Sequence, residues 1–162
     1  MFKFGILEHD NPTEFVYPNE YALQQTSGPI RIIISSATNQ MKLASDLIIR
    51  SDSYFGILYI LAVPRGKHKA ARYQLADRLS KNDAVKFLEK YNEYFVNDGR
   101  HQIWIADTEN NDFIVYDQHN VLYAYGNISE YEKILGIKRY QNTTKIEFPV
   151  PHVHCYNPEY DH

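Results

Sequence analysis

The sequence predicts an α+β domain organised around an antiparallel meander, and three observations lead to this fold class. Short runs rich in β-branched and aromatic residues follow one another closely at residues 103–106, 113–116 and 121–125, with polar turns between them. Two earlier apolar runs predict strands: residues 30–35, which are typical of a strand buried on both faces, and the strongly apolar residues 54–63. Helical spacing of apolar residues occurs twice between these strands. The sheet is therefore expected to be mixed or antiparallel, with helices packed against it.

In the N-terminal third of the sequence, the apolar runs predict strands before the first helix. Residues 2–8 are a short apolar run typical of an edge strand or a strand docked on the main sheet, and residues 13–26 fit a short strand or an irregular arm. The strand at residues 30–35 leads into a helix that ends near Arg50. Its apolar side chains recur at helical spacing and form one stripe: Met41, Ala44, Leu47 and Ile48.

The next elements are two strands, a helix, the meander and a second, shorter helix. The strands are residues 54–63 and 72–76, and Ser80 with Asp83 three residues later predicts the capped start of a helix that ends near Gly99. After the meander, Asn127 is expected to start a short helix. Residues 145–148 predict a last strand.

The element order over residues 30–107 is β-α-β-β-α-β. This order is that of the split βαβ, ferredoxin-like arrangement, with both helices on one face of a four-stranded sheet that the meander would extend. A parallel βαβ unit joined to an antiparallel sheet fits the same order. Either way we predict one two-layer domain over residues 1–162, with residues 149–162 as an extended C-terminal tail.

Composition excludes several classes of protein. The formal charge of −3 predicts no general affinity for nucleic acid or for an anionic membrane. No apolar run approaches the roughly 20 residues of a transmembrane helix, and the first residues do not resemble a secretory signal. The single cysteine, Cys155, cannot form an internal disulfide. We therefore expect a soluble, cytoplasmic protein, with homo-oligomerisation left open.

The clearest chemical pattern lies in the tail, where two histidines are separated by one residue. If the tail is extended, His152 and His154 point to the same side and can bind one metal, with Glu159 or Asp161 as an oxygen ligand. The pattern H-x-H, four residues, E is similar to the first motif of cupin metal sites. However, Ile146 replaces the glycine of that motif and no second histidine motif follows, so we do not assign the chain to that family. A solvated surface segment is the alternative interpretation.

A second candidate pair lies in the last turn of the meander. Asp117 and His119 form an Asp-x-His pattern in which the carboxylate can fix the tautomer of the imidazole, as in a general base or a metal ligand. The alternative is that Asp117 only closes the turn and His119 faces water. A site that combines His119 with His152 and His154 requires two distant segments to meet.

A basic loop is the third candidate. Its cations, which can bind an anion or a phosphate backbone, are Arg65, Lys67, Lys69 and Arg72. A plain hairpin loop with solvated charges explains the same residues. No P-loop, G-x-G-x-x-G fingerprint, G-x-S-x-G elbow or H-E-x-x-H motif occurs, so we expect no organic cofactor.

Two main functions follow from these patterns. The first, which the missing catalytic motifs and the many tyrosines favour, is a non-catalytic module that binds a protein or ligand, comparable with immunity or adaptor proteins in size and composition. The second is a metal-dependent hydrolase with a zinc-like ion held by His152, His154 and His119. A third, nucleic-acid binding through the basic loop, predicts a steep loss of affinity with salt.

Overall fold

The computed structural model describes residues 2–161, which form twelve strands and four α-helices. The strands are β1 (Phe4–Glu8), β2 (Asn11–Glu14), β3 (Glu20–Gln24), β4 (Arg31–Ser35), β5 (Tyr54–Leu61), β6 (Ala71–Gln74), β7 (Leu79–Ser80), β8 (His101–Asp107), β9 (Phe113–Tyr116), β10 (Val121–Tyr125), β11 (Gln141–Asn142) and β12 (His152–His154). The helices are α1 (Gln40–Ile48), α2 (Lys81–Lys90), α3 (Asn92–Asn97) and α4 (Ile128–Ile137), and Pro158–Tyr160 form one turn of 3-10 helix.

The fold is α+β, as predicted, and the meander β8-β9-β10 occupies the middle of the main sheet. The strand order is β11-β3-β4-β10-β9-β8-β5-β6, with β7 beside β5. All neighbours are antiparallel except β11 and β3, so the sheet is mixed. The connection from β4 through α1 to β5 therefore crosses the positions of β10, β9 and β8, which follow later in the sequence.

The strand order differs from the ferredoxin-like alternative. That arrangement would place the strand at residues 30–35 beside the strand at 103–107, but here β4 pairs with β10 and β3. The meander explains this difference, because β10 pairs with β4 while β8 pairs with β5. Those pairings keep β4 and β8 apart.

The sheet has a core on each face, so the two-layer prediction is incomplete. On one face the helices cover an apolar core that includes Ile32, Leu88 and Ile114. On the other face a separate three-stranded sheet, of order β12-β1-β2, covers a smaller core around Phe4 and Val121. This third layer carries His152 and His154.

The local signals identify most helix ends but not every element. Ser80 caps α2 by accepting a hydrogen bond from the Asp83 amide, as its pattern predicts. The predicted helix over residues 80–98 is broken at Tyr91 into α2 and α3. The strand predicted at residues 145–148 is wrong, because this segment forms no strand and Ile146 instead packs in the smaller core. None of the helices in residues 2–161 is long and apolar enough to cross a membrane.

Candidate metal centre

Three histidines from two distant segments meet at the edge of the smaller core. His152 and His154 are two residues apart on β12, and His119 lies in the turn between β9 and β10. One ring nitrogen of each histidine lies within 4.8 Å of those of the other two. The ring centroids are 4.9 to 5.3 Å apart. We call His119, His152 and His154 the histidine cluster.

Strand pairing explains why the tail reaches this place. β12 pairs antiparallel with β1, so that His154 lies opposite Phe4 and His152 lies opposite Ile6. Directly opposed residues project to the same side of a sheet, which is why the Phe4 ring lies below both imidazoles. Its centroid is 5.3 to 5.6 Å from all three histidine rings. Phe4 is fully buried and forms the floor of the cluster.

Asp117 builds the turn that presents His119. Its Oδ1 accepts hydrogen bonds from the backbone amides of His119, at 2.8 Å, and Val121, at 3.2 Å. Its Oδ2 lies 2.8 Å from His119 Nδ1 and also accepts a hydrogen bond from the Tyr123 hydroxyl. One carboxylate therefore both closes the turn, as one sequence interpretation expects, and orients the imidazole, as the other expects.

The other two imidazoles are held in the same way, by backbone carbonyls. His152 Nδ1 lies 3.1 Å from the carbonyl oxygen of Pro149, and His154 Nδ1 lies 3.1 Å from that of Gln118. A carbonyl only accepts hydrogen bonds, so each Nδ1 carries the proton. Nε2 then has a free lone pair in each neutral ring. All three rings thus have the tautomer and the outer partner that metal-binding histidines typically have.

The surroundings favour a neutral His154 and exclude water from one side of the cluster. Burial lowers the pKa of His154, and the neighbouring His119 lowers it further, so this ring is neutral at neutral pH. Phe148 packs edge-on against His119 with a centroid distance of 5.5 Å. His152 is exposed to solvent, so the cluster is open on its outer side.

Cys155 follows His154 but is not part of the cluster. Among residues 2–161, the three histidines are the only group of three or more histidine, cysteine, aspartate or glutamate side chains whose ligand atoms all lie within 4.8 Å of one another. Burial raises the pKa of the Cys155 thiol, which keeps it protonated. Its backbone instead continues the strand, since its amide donates a hydrogen bond to the carbonyl of Lys3 at 2.8 Å.

The two acidic residues predicted as oxygen ligands lie elsewhere. The tail turns at Asn157, whose side chain accepts a hydrogen bond from the Glu159 amide and so starts the 3-10 helix. Glu159 lines a different pocket, formed mainly by tyrosines. Asp161 forms an ion pair with Arg100. The turn at Asn157, which the extended-tail prediction did not include, therefore separates these carboxylates from the histidines.

The basic loop does not present its four cations in the same way. Arg65 is buried, and its guanidinium donates to Asp98 and to the carbonyl of Tyr160, each at 2.5 Å. The other three side chains are exposed, with Arg72 on the outermost strand β6: Lys67, Lys69 and Arg72. Arg65 is thus a structural residue, which the sequence pattern does not distinguish from its charged neighbours.

Sequence reasoning missed the residues that complete the cluster. In the sequence, Phe4 is only one member of an apolar run, and the carbonyls of Gln118 and Pro149 leave no signal in side-chain chemistry. Proline at position 149 is the nearest clue, since it keeps the segment before His152 out of the strand ladder.

Comparison of the chain with protein-family models, with curated proteins and with solved structures finds no match. The geometry of the histidine cluster is therefore the basis for its function.

Proposed function

We propose that the protein is a metal-dependent hydrolase whose divalent, zinc-like ion is held by His119, His152 and His154. The observation that carries the proposal is the common arrangement of three imidazoles, each with Nδ1 engaged by an oxygen acceptor. This arrangement leaves three lone pairs for one ion.

The spacing fits such an ion after a small contraction. Zinc–nitrogen bonds of about 2.0–2.1 Å place the nitrogens of a tetrahedral site about 3.4 Å apart. The ring nitrogens of the cluster lie within 4.8 Å of one another. Because His152 is exposed on a short edge strand, small rotations of its side chain can close the difference. Imidazole ligands suit zinc, copper, nickel and iron better than magnesium or calcium.

Three protein ligands leave a coordination position for water. A metal held by the three histidines would supply hydroxide near neutral pH, which is the nucleophile of metal-dependent hydrolysis. Asp117 keeps His119 in the ligating tautomer, and Phe4 and Phe148 keep the inner side of the site apolar. The open outer side at His152 is where a substrate ester can approach.

The experiment measures metal in protein purified without a histidine tag. We expect about one equivalent of a transition metal per chain, lost from His119→Ala, His152→Ala and His154→Ala. His68→Ala is the matched control, because His68 is an exposed histidine outside the cluster. The metal centre would be refuted if the wild-type protein bound no zinc, or if all four variants bound zinc as well as the wild type does.

Hydrolysis is tested separately with chromogenic carboxylic and phosphoric esters. The loaded wild-type protein should turn over at least one class, and His154→Ala should not. If the protein binds the metal tightly but hydrolyses neither class of ester, it is a metal-binding protein and the hydrolase proposal is refuted.

One observation supports the alternative of a protein-binding module. A row of aromatic side chains lies on the face of the main sheet opposite the helices, where Trp104 stacks on Phe113 and Phe113 stacks on Tyr125. Trp104 is 37% exposed. Aromatic residues are enriched in protein interfaces. A partner recovered from the native host with the wild-type protein, and not with Trp104→Ser, would support this function.

A further inference from the structure

A cavity lies away from the histidine cluster and has a different chemistry. Its volume is about 460 Å³, the size of a small-molecule site. Five tyrosines contributed by β5, β6, the α2–α3 region and the tail line it: Tyr59, Tyr73, Tyr91, Tyr94 and Tyr160. We call this cavity the tyrosine pocket.

The buried arginine in the wall of the tyrosine pocket is already neutralised. Arg65 has an 8% exposed side chain and pairs with the fully buried Asp98. Its other charge-assisted bond goes to the Tyr160 carbonyl. An anionic ligand therefore finds no uncompensated positive charge at Arg65, because displacing Asp98 from the guanidinium would leave a buried carboxylate unpaired.

The acidic residue at the rim is not neutralised. Glu159 is exposed, and its carboxylate has no hydrogen-bond or ion-pair partner among residues 2–161. The 3-10 helix of the tail fixes its position beside Tyr160. Because Arg65 and Asp98 compensate each other, Glu159 leaves an unpaired negative charge at the rim of the pocket.

Two of the pocket tyrosines already hold cations of the protein against their rings. The Arg65 guanidinium lies 4.8 Å from the centroid of Tyr94, and the Lys90 ammonium lies 5.1 Å from that of Tyr91. The negative face of an aromatic ring attracts cations, and cages of aromatic residues with a nearby carboxylate are suited to alkylated ammonium groups.

We propose that the tyrosine pocket binds a small organic cation, an ammonium group that carries alkyl substituents. The rings of Tyr59, Tyr73 and Tyr160, on which no cation from residues 2–161 lies, contact the apolar substituents and the positive charge together. The Glu159 carboxylate at the rim supplies the counter-charge. This site is independent of the histidine cluster and of the proposed hydrolysis.

The experiment compares choline with 3,3-dimethyl-1-butanol, its uncharged analogue of the same shape, by calorimetry and by NMR titration of the pocket resonances. We expect choline to bind and the uncharged analogue to bind about tenfold more weakly, since the two differ in the cation–π and carboxylate attractions. Equal binding of the two probes, or stronger binding of benzoate than of choline, would overturn the proposal. The absence of choline-induced shifts in the pocket up to the highest soluble concentration would overturn it as well.

Variants then identify the residues involved. Glu159→Gln is expected to weaken choline binding about threefold to tenfold, and Tyr73→Leu to weaken it similarly while keeping an apolar side chain. Tyr54→Leu is the matched control, because Tyr54 is 48% exposed, close to the 45% of Tyr73, and lies on β5 outside the pocket. Circular dichroism verifies that all three variants fold. Unchanged choline affinity in both pocket variants would contradict the assignment.

Discussion

Replacing Asp117 with asparagine reverses one hydrogen bond of the histidine cluster and leaves most of its turn intact. The amide oxygen of the new side chain, in the place of Oδ1, can still accept hydrogen bonds from the backbone amides of His119 and Val121. The amide nitrogen takes the place of Oδ2, which lies 2.8 Å from His119 Nδ1. Because this nitrogen is a donor, His119 must accept through Nδ1 and carry its proton on Nε2.

A protonated Nε2 cannot bind a metal, so the variant must change tautomer before it loads. The loss of such an outer partner typically lowers metal affinity by about 10- to 100-fold, which corresponds to about 1.4–2.7 kcal/mol. The free energy of unfolding of the metal-free protein should fall by about 1–2 kcal/mol, since the charge-assisted bonds of His119 and Tyr123 to Oδ2 are replaced by neutral bonds from the amide nitrogen and the two backbone bonds remain.

The assay is a zinc titration against a competing chromophoric chelator, together with urea unfolding in EDTA. Asp107→Asn is the matched control, because Asp107 closes the preceding turn in the same way. Its Oδ1 accepts hydrogen bonds from the amides of Glu109 and Asn110 at 2.9 and 3.0 Å. This control should lose stability and keep its zinc affinity. Asp117→Asn binding zinc as tightly as the wild type, or Asp107→Asn losing as much affinity, would refute the reasoning.

Three further predictions concern stability. Lys3 is fully buried, and burial lowers its pKa to about 7 despite Asp117 nearby. Lys3→Met should therefore raise the free energy of unfolding by about 1–3 kcal/mol at pH 6, as measured by urea titration. This gain should shrink between pH 7 and 10, because the wild-type lysine loses its charge first in the folded state and then in the unfolded state. Gly126 has φ +112, and a Cβ there would collide with the Asp112 side chain, so Gly126→Ala should lower the melting temperature clearly, and an unchanged melting temperature would contradict this backbone assignment. Burial raises the pKa of Asp107, but hydrogen bonds from the following turn and from Ser51 outweigh it and set the pKa at about 2. The ionised carboxylate therefore stabilises the fold by about 1–2 kcal/mol above pH 4, and this stabilisation is lost as the pH falls towards 2. In an acid titration, the free energy of unfolding of Asp107→Asn should depend less on pH over this range than that of the wild type.

The elements of the fold are largely readable from the sequence because they depend on local patterns. The meander strands β9 and β10 have the predicted bounds, and the Ser80 cap of α2 is where its spacing predicts. Strand order is not readable, because pairing of β4 with β10 depends on contacts between residues far apart in the chain. The third layer is not readable either, since the run at residues 2–8 could dock in several places.

The candidate site likewise has a part that the sequence predicts and a part that depends on the tertiary structure. Asp117-x-His119 and His152-x-His154 are visible as motifs, and each has the side-chain spacing that its local geometry requires. That Glu159 lies in the tyrosine pocket depends on a single turn at Asn157, where a side-chain acceptor changes the direction of the tail.

The amino-acid sequence by itself determined the fold class, the meander and the residue types able to bind a metal, because these follow from periodicity, turn chemistry and donor atoms within a few residues. Only the tertiary structure decided which of those residues meet. The pairing of β12 with β1 places His152 and His154 on the Phe4 ring beside His119, and this pairing lies between segments about 150 residues apart, where no local preference acts.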